Sequence, residues 1–309
     1  MQQIIYGVLG STGFLGCHLM KCLEFSEQAA VGGSRGLGVD ARSVDSLTSW
    51  ISDNKITHII NLAAECGGIG LNQTNSAELW LSTTLITSAV LEAARLTKIS
   101  KLCLIGTVCS YARDCPVPFN ENQLMNYGKP ESTNAAYGVA KLNGLFGLQA
   151  YCKQYNMNGI FLLPVNLYGP GDNFDPKSSH AIPAIIRKFQ DAKDRGENKV
   201  VLWGSGNASR EFLYVEDCAR AITMAVKSYN HTDPVNIGAG FEITINDLAI
   251  LISKMIGFDG DIYWDHTKPD GQPRRSLDTN RALREFKFYA ETPFEIGLER
   301  TIKWWNDNK

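Results

Sequence analysis

The chain predicts an α/β fold, a doubly wound parallel sheet followed by a smaller C-terminal α/β lobe. Three observations lead there. Over the first 170 of its 309 residues, short apolar runs alternate with helix-length segments, the pattern of a parallel sheet flanked by helices. The first run enters a glycine-rich turn, GSTGFLG, which opens a helical segment. Beyond about residue 170 the alternation loosens into shorter elements, as expected of a lobe set over the carboxyl ends of the strands.

Residues 4–9 (IIYGVL) read as the first strand. In the turn, Gly10 permits a tight reversal, Gly13 lets a pyrophosphate approach the backbone, and Gly16 lets helix pack on strand. The helix that follows, CHLMKCLEF, offers N-terminal N–H groups and a dipole to phosphates. This is a dinucleotide site of the Rossmann type; a plain strand–turn–helix is the alternative. A second strand at about 29–33 ends in GGSRG. NAD sites place Asp or Glu there to hold the ribose 2′-hydroxyl. Ser34 and Arg35 stand there instead, and arginine suits a 2′-phosphate, so NADPH/NADP+ is the expected cofactor. Arg35 as a solvated loop charge is the other reading. Asp40, in the following loop, is in reach of the adenine edge.

HIINLAAE (58–65) reads as a buried strand whose alanines let a cofactor come close. A long helix is expected over about 74–96, then a strand at 101–107 ending in Thr107, then a helix carrying Tyr137 and Lys141 to about Tyr155. That last helix is apolar around much of its circumference, which suggests subunit packing as well as core packing. GIFLLPVNLYGPGDNF (159–174) reads as a strand breaking into a Pro/Gly loop. Helix 179–194, strands 200–206 and 210–215, helix 216–229, strand 234–238 and helix 244–257 follow. Some of these return to the sheet and the rest form the small lobe. The expected division is 1–170 for an NADP-binding domain, with later segments returning to it, and 171–309 for a mainly substrate-binding lobe.

Hydrophobic residues make up 44% of the chain and charged residues 20%, an ordinary globular composition. A net charge of -2 provides no basic field for nucleic acid or an anionic membrane surface. The eight cysteines form no C-x-x-C pair and no Cys/His cluster, so no metal site is expected, and unclustered thiols fit a reducing compartment. No apolar run approaches the length of a membrane span, and the N-terminus lacks the features of a signal peptide. A cytoplasmic protein is expected.

Tyr137 and Lys141 lie one helical turn apart in YGVAK and share a face. An ammonium beside a phenol favours the phenolate and lowers its pKa. A tyrosine tuned this way can give a proton to a carbonyl oxygen while a hydride reaches the carbon. The spacing alone recurs by accident on solvated helices; the dinucleotide turn is what gives it a partner.

Together, GSTGFLG, the strand ending in Thr107 and YGVAK resemble the extended short-chain dehydrogenase/reductase superfamily. NLAAECGGIGLN (61–72), PVNLYGPGDNF (164–174), SHAIPAIIRKF (179–189), VVLWGSGNASREFLYVED (200–217), VNIGAG (235–240) and KPDGQPRRSLD (268–278) narrow the resemblance, in collinear order, to the GDP-L-fucose synthase family. The resemblance implies an NADPH-dependent enzyme that takes GDP-4-keto-6-deoxy-D-mannose to GDP-L-fucose, by epimerisation at C3 and C5 and reduction at C4. It further implies a homodimer joined through the helices at about 74–96 and 137–155. Tyr137 becomes the proton donor to the C4 oxygen, Lys141 holds the ribose and lowers the phenol pKa, and Thr107 takes the place of a serine that bonds the substrate oxygen. Cys109 and His180 match the epimerisation pair, whose thiol and imidazole titrate near enough to neutrality to exchange protons beside a ketone. An inert thiol and a capping histidine are the alternatives.

By the same resemblance the cofactor is held by Gly10, Ser11, Thr12, Gly13, Phe14, Leu15 and Gly16, by Arg35 and Asp40, and by Leu62, Ala63 and Ala64. Ile105, Gly106, Thr107, Tyr137, Lys141, Pro164, Asn166, Leu167 and His180 complete that set. The substrate falls to Thr107, Cys109, Asn166, Lys188, Trp203, Arg210 and Asp270. Lysine and arginine would neutralise the pyrophosphate, Trp203 would offer its face to guanine or ribose, and Asp270 would accept from sugar hydroxyls. The chain departs from the family at Glu65, where lysine is usual, at Val108 and Ala112, and at Thr12, where arginine is frequent. These departures bear on sugar identity more than on reaction type. A reductase without epimerase action, an enzyme of another GDP-4-keto-deoxy sugar (a 6-deoxyheptose included), and a non-catalytic NADP-binding regulatory module remain alternatives.

Overall fold

The computed structural model describes residues 3–65 and 67–309. Cys66, one of the eight cysteines, lies outside them. The first half runs β1 (Ile5–Leu9), α1 (Phe14–Phe25), β2 (Ala29–Gly33), α2 (Val44–Asp53), β3 (His58–Asn61), α3 (Ile69–Thr74), α4 (Ser76–Thr97), β4 (Lys101–Ile105) and α5 (Ala135–Tyr155). It continues with β5 (Gly159–Pro164), β6 (Asn166–Tyr168), α6 (Ala181–Asp194), β7 (Lys199–Trp203), β8 (Ser209–Arg210), β9 (Phe212–Tyr214) and α7 (Val215–Ser228). β10 (Val235–Ile237), β11 (Ile243–Thr244), α8 (Ile245–Ile256), β12 (Asp261–Asp265), α9 (Asn280–Phe286) and α10 (Phe294–Asn308) complete the order.

β10, β5, β4, β3, β1 and β2 lie side by side in that order, and every pair is parallel. Helices cover both faces of such a sheet, so its strands read as continuous apolar runs; β4 is buried at every position. The chain passes from β1 to β2 on one side and returns to β3 on the other. That reversal opens a crevice at the carboxyl end of β1, and the Gly10–Gly16 turn lies there. A Cβ on Gly16 would stand 2.0 Å from the Gly10 carbonyl oxygen, so only glycine lets α1 start this close to the strand.

Several expected elements end early, for local reasons. The strand expected over 58–65 stops at Asn61, whose Oδ1 accepts from the Ala63 N–H and turns the chain. The helix expected over 74–96 is α4, which starts at Ser76 after the short, unexpected α3; between them the Thr74 hydroxyl donates to the Gly70 carbonyl and to Asn75. The strand expected over 200–206 ends at Trp203, since Gly204 and Gly206 adopt positive φ. Its partner β12 and the capped helix α2, with Ser43 accepting from Ser46 N–H, were not expected.

Two apolar clusters fill the molecule. The larger lies around the six-stranded sheet and includes Leu213, Ile222, Val235 and Phe286 from the later chain. The smaller joins Ile182, Ile186 and Phe189 of α6 to Leu202, Phe212, Ile252 and Leu298. Between them the carboxylate of Glu211 is wholly buried. Its Oε1 accepts from the N–H groups of Ala239 (2.6 Å) and Gly240 (2.9 Å), and its Oε2 from Leu277 N–H (2.6 Å) and the Ser276 hydroxyl (3.1 Å). α4 and α5 pack against each other, yet Trp80, Leu81, Leu85, Val139 and Phe146 face solvent. Among the described residues no helix is long and apolar enough to cross a membrane.

Asp172, in the loop after β6, is 6% exposed, and its Oδ2 meets no partner, while Oδ1 accepts from Asn173 N–H at 2.7 Å. Burial disfavours its charged form and pushes its pKa up to about 7. The folded state therefore holds a proton that the unfolded chain loses above about pH 4. Stability from this group is full below the unfolded pKa and lost as pH rises through about 7. Asp172→Asn keeps the shape and the bond to Asn173. It is expected to raise unfolding free energy by roughly 2–4 kcal/mol at pH 8 and little at pH 4. Urea titrations at the two pH values check this, and equal effects at both would refute it.

Candidate active site

The crevice is floored by the carboxyl ends of the strands. Gly10 has φ +80°, and a Cβ there would lie 2.9 Å from Ala63 N, so the glycine turn abuts Leu62 and Ala63 directly, with Ala64 next in the chain. Ser11, Thr12, Gly13, Phe14, Leu15 and Gly16 form the turn and the first residues of α1, whose N-cap Gly13 carries no side-chain cap. The hydroxyl oxygens of Ser11 and of Ser34, at the end of β2, are buried with no hydrogen-bond partner. Two orphaned hydroxyls beside an uncapped helix start suit a phosphate-bearing dinucleotide. Arg35 follows Ser34 and is exposed, its Nη1 3.7 Å from Glu65 Oε1. Asp40 is engaged elsewhere: it accepts from the backbone N–H of Arg42 (3.0 Å) and from the Arg42 guanidinium (3.0 and 3.3 Å).

Ile105, Gly106 and Thr107 lead out of β4. The Thr107 oxygen accepts from Cys109 N–H at 3.2 Å, which leaves its own O–H to donate outward. α5 meets this segment at very short range. A Cβ on Gly138 would stand 2.3 Å from the Cys109 carbonyl oxygen, and the Ser110 hydroxyl donates to the Gly138 carbonyl at 2.8 Å. Tyr137, half-buried, immediately precedes Gly138 and so enters α5 where the helix meets the Cys109 backbone. One turn later Lys141 is buried, its ammonium donating to the Ile105 carbonyl at 2.9 Å and lying 6.0 Å from the Tyr137 ring centroid.

His180 is the N-cap residue of α6. The chain just before it is pinned over the sheet: Gly68 N–H donates to the Ser178 carbonyl at 2.9 Å, and a Cβ on Gly68 would stand 2.3 Å from the Ser179 carbonyl oxygen. The residue is exposed at the surface, yet protein lies near enough around the ring to disfavour its charged form and lower its pKa below the usual histidine value. Pro164 ends β5, Asn166 and Leu167 belong to β6, and the loop beyond is tied to α1 by a 2.8 Å hydrogen bond between His18 Nε2 and the Pro170 carbonyl.

On the far side Trp203 is 51% exposed, with Lys188 Nζ and Lys268 Nζ 5.7 and 5.4 Å from its ring centroid. Lys188 also donates to the Val201 carbonyl at 2.8 Å, and burial lowers its pKa. Asp270 clips the turn that carries Trp203, accepting from Ser205 N–H (2.7 Å) and from the Ser205 hydroxyl (2.8 Å). Arg210 donates to the Asp270 carbonyl at 2.9 Å. Burial, then the neighbouring Arg275 cation, lowers its pKa, while the Cys109 thiol and Glu131 are close enough to raise it. Arg210 is thus bonded to the Asp270 backbone and lies within electrostatic range of Cys109 and Glu131.

Arg275 was missed. It is buried, its Nε has no partner, and its Nη1 lies 3.4 Å from Asn166 Oδ1. The signal was the second arginine of PRRSL, a charge in an otherwise inward-facing stretch. Also missed was the buried group around Glu131, which accepts from Thr133 N–H (3.0 Å), the Thr133 hydroxyl and Asn134 Nδ2 (3.1 Å) just before α5. Asn72 Nδ2 donates to Asn134 Oδ1 at 2.7 Å and links α3 to this corner.

The NAD dependent epimerase/dehydratase family matches residues 7–238. GDP-L-fucose synthase 1 of Arabidopsis thaliana is 35% identical over 301 residues, covering 97% of this chain and 93% of its own. The GDP-L-fucose synthase of Escherichia coli is 36% identical over 281 residues, 88% of this chain and 86% of its own. The crystal structure of a GDP-L-fucose synthetase from Naegleria fowleri superposes with a TM-score of 0.89 at 25% identity, over 100% of this chain and 95% of that one. By fold, by the arrangement of the crevice and by sequence, the chain belongs to the GDP-L-fucose synthase group of the NAD dependent epimerase/dehydratase family.

Proposed function

We propose that this chain is an NADPH-dependent epimerase-reductase that converts GDP-4-keto-6-deoxy-D-mannose to GDP-L-fucose. What carries the reading is the seating of Tyr137: Gly138 brings α5 against the Cys109 carbonyl, and Lys141 is anchored on the Ile105 carbonyl beneath the phenol. The glycine turn, Ser11, Ser34 and Arg35 would hold the cofactor's phosphates, and Ala63, Ala64, Pro164 and Leu167 would line its path to Lys141. Residues 1–170 and the returning segments serve the cofactor; residues 171–309 mainly serve the sugar nucleotide. Lys188, Arg210 and Arg275 supply positive charge for the GDP pyrophosphate, and Trp203 a face for guanine or ribose.

The C4 ketone acidifies the hydrogens at C3 and C5. His180, its pKa lowered by the protein around it, accepts a proton from such a carbon, and the Cys109 thiol returns one from the opposite side. Thr107 donates its O–H to the C4 oxygen. Tyr137 then gives its phenolic proton to that oxygen, and the Lys141 ammonium stabilises the phenolate left behind. NADPH, when bound, supplies the hydride to C4. Ketone, hydride and proton together make the alcohol of the product. We place the enzyme in the cytoplasm as a homodimer whose exposed apolar residues on α4 and α5 are covered by the second copy.

Tyr137→Phe is expected to cut C4 reduction at least about 100-fold while NADPH still binds by fluorescence titration. Reduction at the parent rate would remove the phenol from the mechanism. Cys109→Ser is expected to slow deuterium uptake from solvent at C3 and C5 about tenfold or more, with the fold unchanged by circular dichroism. Uptake at the parent rate would leave a reductase without this thiol. Leu85→Glu with Phe146→Glu is expected to halve the mass found by sedimentation equilibrium; a parent that already sediments as a monomer refutes the dimer.

A further inference from the structure

We propose that Glu65 weakens this chain's grip on the cofactor's 2′-phosphate by occupying the guanidinium of Arg35. The inference rests on the NADPH reading, in which Arg35 meets that phosphate, and adds a residue that opposes it. Arg35 follows the end of β2, and Glu65 lies four residues past the end of β3, on the opposite side of β1. The two side chains converge across the mouth of the crevice, with Nη1 and Oε1 3.7 Å apart.

Their neighbours make the arrangement tighter. Arg42, the other arginine at this mouth, is bidentate on Asp40 at 3.0 and 3.3 Å. Asp40 also feels Arg35, and Arg42 also feels Glu65. Two cations and two carboxylates thus form one coupled group whose formal charge is zero. A phosphate bearing nearly two negative charges gains little attraction from a neutral group. It must either displace Glu65 from Arg35 or sit close to a like charge. Arg35 is 71% and Glu65 41% exposed, so their pairing is weak enough for a strong anion to break, and the cost falls on binding of the 2′-phosphate alone. The orphaned Ser34 hydroxyl nearby still offers that phosphate a neutral partner.

The test is calorimetric binding to the folded chain, with adenosine 2′,5′-bisphosphate and 5′-ADP as probes. Glu65→Gln removes the charge and keeps the shape. It is expected to tighten the 2′,5′-bisphosphate about three- to tenfold and to leave 5′-ADP within about twofold. In an Arg35→Ala background the same change is expected to have no effect, because Glu65 acts through Arg35. No gain for the 2′,5′-bisphosphate, an equal gain for both probes, or a gain that survives without Arg35 would each overturn the proposal. Arg35→Ala alone separates the two layers of the argument. If it selectively weakens the 2′,5′-bisphosphate, the NADPH reading stands whatever Glu65 does. If it weakens neither probe, or both alike, the reading and the proposal fall together.

Discussion

A buried ammonium sets the terms for the crevice. Taking a lysine out of water is costly unless its charge is answered by nearby acceptors, and Lys141 meets that need on the Ile105 carbonyl. That carbonyl lies at the end of β4, so the bond ties α5 to the sheet where the strand gives way to Thr107. The tie holds only if helix and loop approach closely. Gly138 permits this, because any side chain there would collide with the Cys109 carbonyl. One interaction and one missing Cβ thus set the relation of Tyr137, Lys141, Thr107 and Cys109.

The opposite wall depends on charge rather than contact. Arg275 stands close enough to disfavour the charge of Arg210, and one nitrogen of Arg275 has no partner. Two crowded guanidiniums are a poor arrangement for stability alone and a good one for an anion that bridges them. Asn166, between Arg275 and the Glu211 carbonyl, passes this positive region back toward the end of β5.

Much of this was legible in the chain because the signals were local. The glycine turn, the largely apolar strand KLCLI and the Tyr/Lys spacing each carry their reason within a few residues. What was illegible depended on partners far away. β12 is half-exposed and weakly patterned, and only its pairing with β7 makes it a strand. Asp270 was assigned to sugar hydroxyls from its motif, yet its two oxygens engage Ser205, sixty-five positions earlier. Arg35 was read from its own position as a phosphate ligand; the carboxylate that answers it comes from the loop after another strand. Asp40 is expected within reach of the adenine edge, and its carboxylate also pairs with an arginine two residues on. Side chains that converge from separate strands leave no mark in sequence spacing.

The buried Glu211 bears on how the chain is made. Its first oxygen is served by Ala239 and Gly240, its second by Ser276 and Leu277. A polypeptide still emerging from the ribosome short of Ser276 would leave that second oxygen bare inside an apolar region. The segment carrying Glu211, between β8 and β9, therefore lacks half of its donors until the chain has been made through Leu277.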